Sequence, residues 1–259
     1  MTKIYHFTKL NTAIEFILPK KQLRTSSLHK MNDPKESQPW AFGGINLNYE
    51  GWYPENYSEE THIDTTYNFG NDIKSNVQII CFVKDKPEKG FLNEIMWAHY
   101  SDNHQGICLE IDRNIFIKEN FEQLTESKFE PVSYGQHENP FIFGDHSLNK
   151  EENIKKIIEA KYKELFLRKS KYWKRENEER LIMFTNKQHY LSIENSLTGI
   201  YFGLDMCIHY LPSIIRLINK QQTKLFDLYF ENNRIKIIER DFEELRPMIT
   251  KKFKNVPHD

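Results

Sequence analysis

The sequence is short of several things at once. Its 259 residues include only three cysteines, at positions 81, 108 and 207. They are far apart and odd in number, so neither a disulfide framework nor a Cys-x-x-Cys metal clip is available, and a reducing cytoplasm is the expected setting. An excess of one charge is also missing: 36 Lys+Arg stand against 37 Asp+Glu. No global field therefore draws the chain to nucleic acid or to an anionic membrane, which leaves only local patches for such contacts. No run of about eighteen apolar residues occurs, and Met1 to Thr8 alternates at once without an apolar leader core, so neither membrane spanning nor secretion is expected. No internal repeat or low-complexity linker divides the chain, and residues 1–259 are read as one domain large enough to bury a sizeable core. Gly-x-Gly-x-x-Gly, a Walker loop, His-Glu-x-x-His and Gly-x-Ser-x-Gly are all absent. Their absence weakens the Rossmann dehydrogenase, P-loop ATPase, zincin and α/β-hydrolase readings together.

What is present is aromatic and mixed in period. Aromatics make up 14% of the chain, enough to fill a core generously or to line a pocket, with core filling the better reading for most. Lys3 to Thr8 alternates as a strand, and Leu10, Ala13, Ile14, Ile17 and Leu18 follow at helical spacing until Pro19 stops them. Gln22 to Ser26 reads as a short strand. Asn32-Asp33-Pro34 is turn chemistry, because a residue before proline is pushed out of the α region. Residues 37–76 read as an aromatic loop from Trp40 to Tyr57 with a helix somewhere after Ser58, and loops this long usually carry function. Val77 to Val83, Ile107 to Asp112, Lys128 to Tyr134, Leu181 to Phe184, Leu197 to Phe202, Leu225 to Phe230 and Ile235 to Ile238 read as strands. Helices are expected around Phe91 to Ala98, after the Asp112 cap, along a long amphipathic stretch through Ile154 and Leu165, and at Pro212 to Ile218. This order predicts an α+β fold, with mixed or antiparallel central sheets flanked by helices.

The candidate functional residues are polar groups at expected strand ends. They are His6 and Thr8, then Arg24, then Asn32, Asp33 and Glu36, then Trp97, His99 and Tyr100, and finally Glu176, Glu178 and Arg180. Period two places the last three on one side if the chain is already extended at Glu176, and two acids beside an arginine and an apolar strand imply an ion-pair network. The five-residue step from His99 to His104 does not put two imidazoles on one helix face, so no metal pair is expected there. Trp97 and Trp173 are better read as packing residues. The ten lysines and arginines of 150–175 are interleaved with acids, which favours a solvated helix face over a nucleic-acid stripe. Glu110 and Asp112 at a strand end could hold a divalent ion for a phosphodiesterase or nuclease, although Asp112 has a sufficient role as a helix cap.

His6-Phe7-Thr8, Asn32-Asp33-Pro34-Lys35-Glu36, the stretch from Met96 to Gly106 (MWAHYSDNHQG) and Trp173-x-x-Glu176-x-Glu178-x-Arg180 together resemble the bacterial family filed as domain of unknown function 2971. Lys35 and Val83 depart from the expected aromatic and small polar residue. More distantly, the chain resembles ADP-ribosyltransferases of the His-Tyr-Glu type, in which a strand histidine precedes Thr or Ser by two residues, a tyrosine lies near the nicotinamide and a glutamate lies on a late strand. His6 with Thr8, Tyr100 and Glu178 follow that order. The resemblance implies NAD as substrate, with Glu178 bonding the ribose 2-hydroxyl and Glu176 positioning or deprotonating the acceptor. It further implies His6 orienting the ribose, Tyr100 or Trp97 stacking on nicotinamide, and Arg24 pairing with pyrophosphate. Thr8, Asn32, Asp33, His99 and Arg180 complete the implied cofactor contacts. An intracellular effector in phage defence or a toxin system, acting on a nucleic acid or protein, is the expected setting. The competing readings are the metal-dependent phosphodiesterase and a non-catalytic sensor that binds a nucleotide or partner through the Trp40–Tyr57 loop. The acceptor and the oligomeric state are not encoded legibly.

Overall fold

A computed structural model describes residues 2–38, 40, 68–136, 148–232 and 234–241. The strands among them are β1 (Lys3–Thr8), β2 (Gln22–Arg24), β3 (Gln78–Lys84), β4 (Ile107–Asp112), β5 (Lys128–Pro131), β6 (Ser133–Gly135), β7 (Arg168–Ser170), β8 (Glu178–Met183), β9 (Tyr190–Ser192), β10 (Leu197–Phe202), β11 (Lys224–Glu231) and β12 (Arg234–Glu239). The protein is mixed α and β, with a large, mostly antiparallel sheet flanked by helices. Its chain divides into two compact units. One comprises Met1–Leu23, Phe82–Leu124 and Tyr190–Asp259, the other Arg24–Cys81 and Thr125–His189.

In the first unit the strand order is β12-β11-β10-β4-β1-β3. Every pair is antiparallel except β10 with β11. Alternation along β1 sends Tyr5 and Phe7 to one face and His6 and Thr8 to the other. On the first face Trp97, from helix Glu94–Tyr100, meets Phe7 edge to face at 5.1 Å. Tyr5, Val83, Phe91, Met96, Cys108, Tyr201 and Leu228 close the core there. On the second face His6 and Phe116, the latter from helix Arg113–Glu119, both make edge contacts with Phe82, at 5.9 and 5.6 Å.

Pro19 does not stop the first helix. The helical run continues from Leu10 to Lys20 because Ala13–Ile17 widens into a π turn, in which Leu18 N–H reaches back five residues to Ala13 O. That local widening accommodates a proline that lacks an N–H and would crowd the carbonyl four residues back. The run ends at Lys21, in the left-handed region.

In the second unit β8 lies between β3, here represented by its residues 78–81, and β5. The expected Lys128–Tyr134 strand is two strands: β5 pairs with β8, and after Val132 the chain leaves to pair as β6 with β7. Pro131, which has no N–H to donate, stands on edge strand β5. The longest helix, Lys150–Phe166, opens with a capping box between Asn149 and Glu152. Ile154, Ile157, Ile158, Leu165 and Phe166 on that helix join Trp40, Phe69, Ile73, Val77, Ile79 and Ile182 in one core. Helix 68–75 is described, whereas the Trp40–Tyr57 loop beyond Trp40 lies outside the described residues.

Candidate functional site

Five charged side chains meet in the interior of the second unit, and none exposes more than 5% of its side chain. Glu178 opens β8 and Arg180 follows two residues later, so both project from the same face. Arg180 Nε donates to Glu178 Oε2 at 2.9 Å, and its Nη1 donates to Glu36 Oε1 at 2.5 Å and to the Phe166 carbonyl at 2.8 Å. Lys169, from β7, donates to Glu176 Oε2 at 2.6 Å and to Glu178 Oε1 at 3.2 Å. Each oxygen of Glu178 is therefore held by a different cation.

Three carboxylates against two cations leave one negative charge, and a third buried cation is close at hand. Lys74, on helix 68–75, is fully buried and donates to the carbonyls of Glu36 (2.6 Å) and Gln38, with its ammonium 4.4 Å from the centre of the Trp40 ring. Desolvation of this kind is tolerated only when geometry and hydrogen bonding compensate it. Here the compensation is incomplete. Glu36 Oε2 stands 4.0 Å from Lys169 Nζ, and both it and Asp33 Oδ2 are buried without a hydrogen-bond partner among the described residues.

Local chain chemistry explains how these groups converge. Asp33 caps the short helix Pro34–Ser37 by accepting from Lys35 N–H at 2.9 Å, and this orders the turn that carries Glu36 inward. Lys171–Glu176 is a 3-10 helix, and the extended conformation begins only at Glu178. Period two therefore does not bring Glu176 to the cluster. Asn177 does so, by taking the left-handed conformation (φ 52, ψ 46) between helix and strand, a region that asparagine visits more readily than most residues. Tyr134 fixes the junction, its hydroxyl accepting from Glu178 N–H at 2.8 Å.

The electrostatics follow from this packing. Burial alone would raise the Glu178 carboxyl, but Arg180 and Lys169 outweigh it and hold the group below the usual carboxylate range. Burial would lower Lys169, and Glu178 with Glu36 drives it above its ordinary value instead. Lys74 is brought down to about 8 by burial, against the pull of Glu36. The Cys81 thiol is pushed up to about 12, by burial first and Glu178 second. The arrangement keeps one carboxylate ionised in a dry interior, where a developing positive charge would be stabilised most.

The remaining sequence candidates are distributed between the units. Arg24 and Asn32 are exposed and Asp33 is buried, all in the second unit. His6 and Thr8 belong to the first unit, His6 half-buried and Thr8 buried. Trp97 has no exposed surface; its indole N–H donates to the Phe91 carbonyl at 2.7 Å, with Phe7 edge-on and His104 stacked at 6.1 Å. Its surroundings leave no face open for nicotinamide. His99 is exposed, and Tyr100 is half-buried against the first-unit core. Glu110 accepts from the hydroxyls of Thr198 and Tyr201, each at 2.8 Å, and lies 3.4 Å from Lys3 Nζ. Asp112 caps its helix through Asn114 and Ile115 N–H. Among the described residues no group of three or more His, Cys, Asp or Glu is placed to hold a metal ion.

The stretch around Trp97 contains a feature that periodicity does not reveal. Asp102, Asn103 and His104 take positive φ in succession (51, 50 and 67). The turn is pinned by bonds from Asn103 N–H to Ala98 O, His104 N–H to Trp97 O and Gly106 N–H to Ser101 O. Gly203 and Gly106 make room for it, since a Cβ on Gly203 would fall 2.0 Å from His104 O and one on Gly106 2.3 Å from Thr8 O.

Lys169, Lys74 and Tyr134 were hidden from sequence reasoning. Lys169 lies within a run of lysines and arginines that reads as solvated, and only its place two residues before the Lys171–Glu176 helix, facing two glutamates, sets it apart.

A family model described as "Protein of unknown function (DUF2971)" matches residues 96–181, about a third of the chain. The match takes in the left-handed turn together with Lys169, Glu176, Glu178 and Arg180, and is narrower than the motif resemblance, since His6 and Asn32–Glu36 fall outside it. No curated protein and no solved structure matches the chain.

Proposed function

We propose that this protein is an NAD-using ADP-ribosyltransferase-like enzyme whose reacting carboxylate is Glu178. The observation that carries the reading is the Glu178 carboxylate itself, at the first residue of a late strand and held ionised by Arg180 at one oxygen and Lys169 at the other. In the proposed step the bond from ribose C1′ to the nicotinamide nitrogen breaks, and its electron pair leaves with nicotinamide, which departs neutral. The acceptor's nucleophilic atom bonds C1′ and loses its proton to Glu176. Charge building on the ribose before that bond forms is what a fixed carboxylate stabilises, as in glycoside cleavage. Lys169 divides its bonds between Glu176 and Glu178, so it is the cation that yields Oε1 to the ribose 2-hydroxyl, while Arg180 keeps Oε2. Incubating pure protein with NAD labelled in the adenosine portion, with and without cell extract, tests the reading by nicotinamide release and label transfer.

The 2% exposure of Glu178 favours a second reading, in which the cluster is architectural and the protein is a non-catalytic nucleotide- or partner-binding module. That reading expects NAD to raise the melting temperature with no nicotinamide released.

A further inference from the structure

The 3-10 helix Lys171–Glu176 has a division of faces that the proposed chemistry does not use. In a 3-10 helix residues three apart eclipse one another, so Trp173 pairs with Glu176, Lys171 with Lys174, and Tyr172 with Arg175. The first pair points inward: Glu176 is buried, and half-buried Trp173 holds the Lys169 ammonium 5.2 Å from its ring centre. The other two pairs point outward. Lys171, Lys174 and Arg175 are exposed, and Tyr172 is 84% exposed, the largest exposure of any large apolar or aromatic residue described. Lys171 Nζ lies 5.4 Å from the Tyr172 ring centre.

This patch differs from the other basic surface of the same unit. On helix Lys150–Phe166 the lysines are matched by acids: Lys155 with Glu159 at 4.0 Å, Lys161 with Glu164 at 3.9 Å and Lys163 with Glu130 at 3.0 Å. Lys171 and Lys174 form no ion pair with an acid among the described residues. An exposed aromatic ring beside Lys171 and Lys174 is suited to a strand with unpaired bases, where the ring stacks on a base and the cations meet phosphates. An acidic peptide would meet the cations and leave the ring with nothing to stack on.

We infer that the outward faces of Lys171–Arg175 are a docking surface for single-stranded nucleic acid. Resting on the reading above, this makes nucleic acid the acceptor class, because the same six-residue helix ends at Glu176.

The test is fluorescence anisotropy on the whole chain with labelled twelve-residue oligo(dT) and oligo(U), without NAD, across 50–200 mM salt. Wild type should bind with an affinity that falls as salt rises. Tyr172→Ala should weaken binding about tenfold at fixed salt, and Tyr172→Phe should restore it. Lys171→Ala with Lys174→Ala should lower the slope of log affinity against log salt by about 1.4, whereas Lys155→Ala, on the acid-matched helix, should change neither readout. Thermal melts of these surface variants should overlay the wild type. Absence of binding at 50 mM salt, binding indifferent to Tyr172, or equal competition by polyglutamate would overturn the inference, the last pointing to an acidic protein instead. Because NAD is left out, these outcomes are independent of nicotinamide release, and a failure of the transferase reading removes only the acceptor assignment.

Discussion

Two strand carboxylates, one in each unit, are held in opposite ways. Glu110, on β4 of the first unit, keeps 15% of its side chain exposed and is satisfied mainly by hydroxyls, with Lys3 alongside. Glu178, on β8 of the second, keeps 2% and is satisfied by two buried cations. A hydroxyl donor near solvent is replaceable by water. A buried cation is not, and removing it strands a charge in low dielectric. The first arrangement is therefore tolerant and the second costly, and a costly charge kept in a dry interior is the stronger candidate for function.

The sharpest way to break this comparison is to delete a cation. Arg180→Ala leaves Lys169 as the one cation of the cluster against Glu36, Glu176 and Glu178, and the urea midpoint should fall by the equivalent of about 3–5 kcal/mol. A loss under about 1 kcal/mol would show the cluster to be far wetter than the packing indicates. The matching change in the first unit is mild. Tyr201→Phe removes one hydrogen bond to Glu110 but keeps the ring stacked between Phe91 at 4.2 Å and Phe226 at 4.6 Å, so about 0.5–1.5 kcal/mol should be lost in the same assay.

Proton linkage sharpens it further. Glu178 titrates below the usual carboxylate range when folded. Its contribution is complete above the unfolded value and is lost as pH falls through the folded one. Stability of wild type minus Glu178→Gln should accordingly shrink on acidification below about pH 4.5. Lys74 runs the other way. Folded, it releases its proton near 8 rather than 10.5, so between those values the unfolded chain binds more protons and stability rises with pH. Wild type minus Lys74→Met, followed by urea melts from pH 7.5 to 10, should show that rise, and a flat or falling difference would contradict the burial of Lys74. The smallest effect is chemical. At pH 7.5 a thiol reagent should label exposed Cys207 quickly and Cys81 slowly, because the Cys81 thiol is held protonated. Labelling of Cys81 should slow further in Lys169→Met, because Lys169 is one of the two cations that pull its thiol down.

Much of the architecture was legible because it is periodic. Alternation marked β1, an apolar run with β-branched residues marked β3, and helical spacing marked Lys150–Phe166. Three of the five cluster residues were legible as a group as well, since Glu176, Glu178 and Arg180 are close in sequence. The other two join through packing: Glu36, a candidate by its turn alone, reaches Arg180 across 144 positions, and no local pattern separates buried Lys169 from its solvated neighbours. The left-handed turn at Asp102–His104 and the single left-handed residue Asn177 are backbone choices that tertiary bonds impose. Asn and Asp only make them cheaper.

The proposed transfer, with the Glu178 carboxylate held between two buried cations, is tested most directly by nicotinamide release from NAD by wild type and by Glu178→Gln, in the presence of single-stranded nucleic acid. Gln preserves shape while removing charge. Wild type should release nicotinamide, and Glu178→Gln should be slower by about a hundredfold or more while still melting cooperatively. No release by wild type, or equal release by a folded Glu178→Gln, would contradict it.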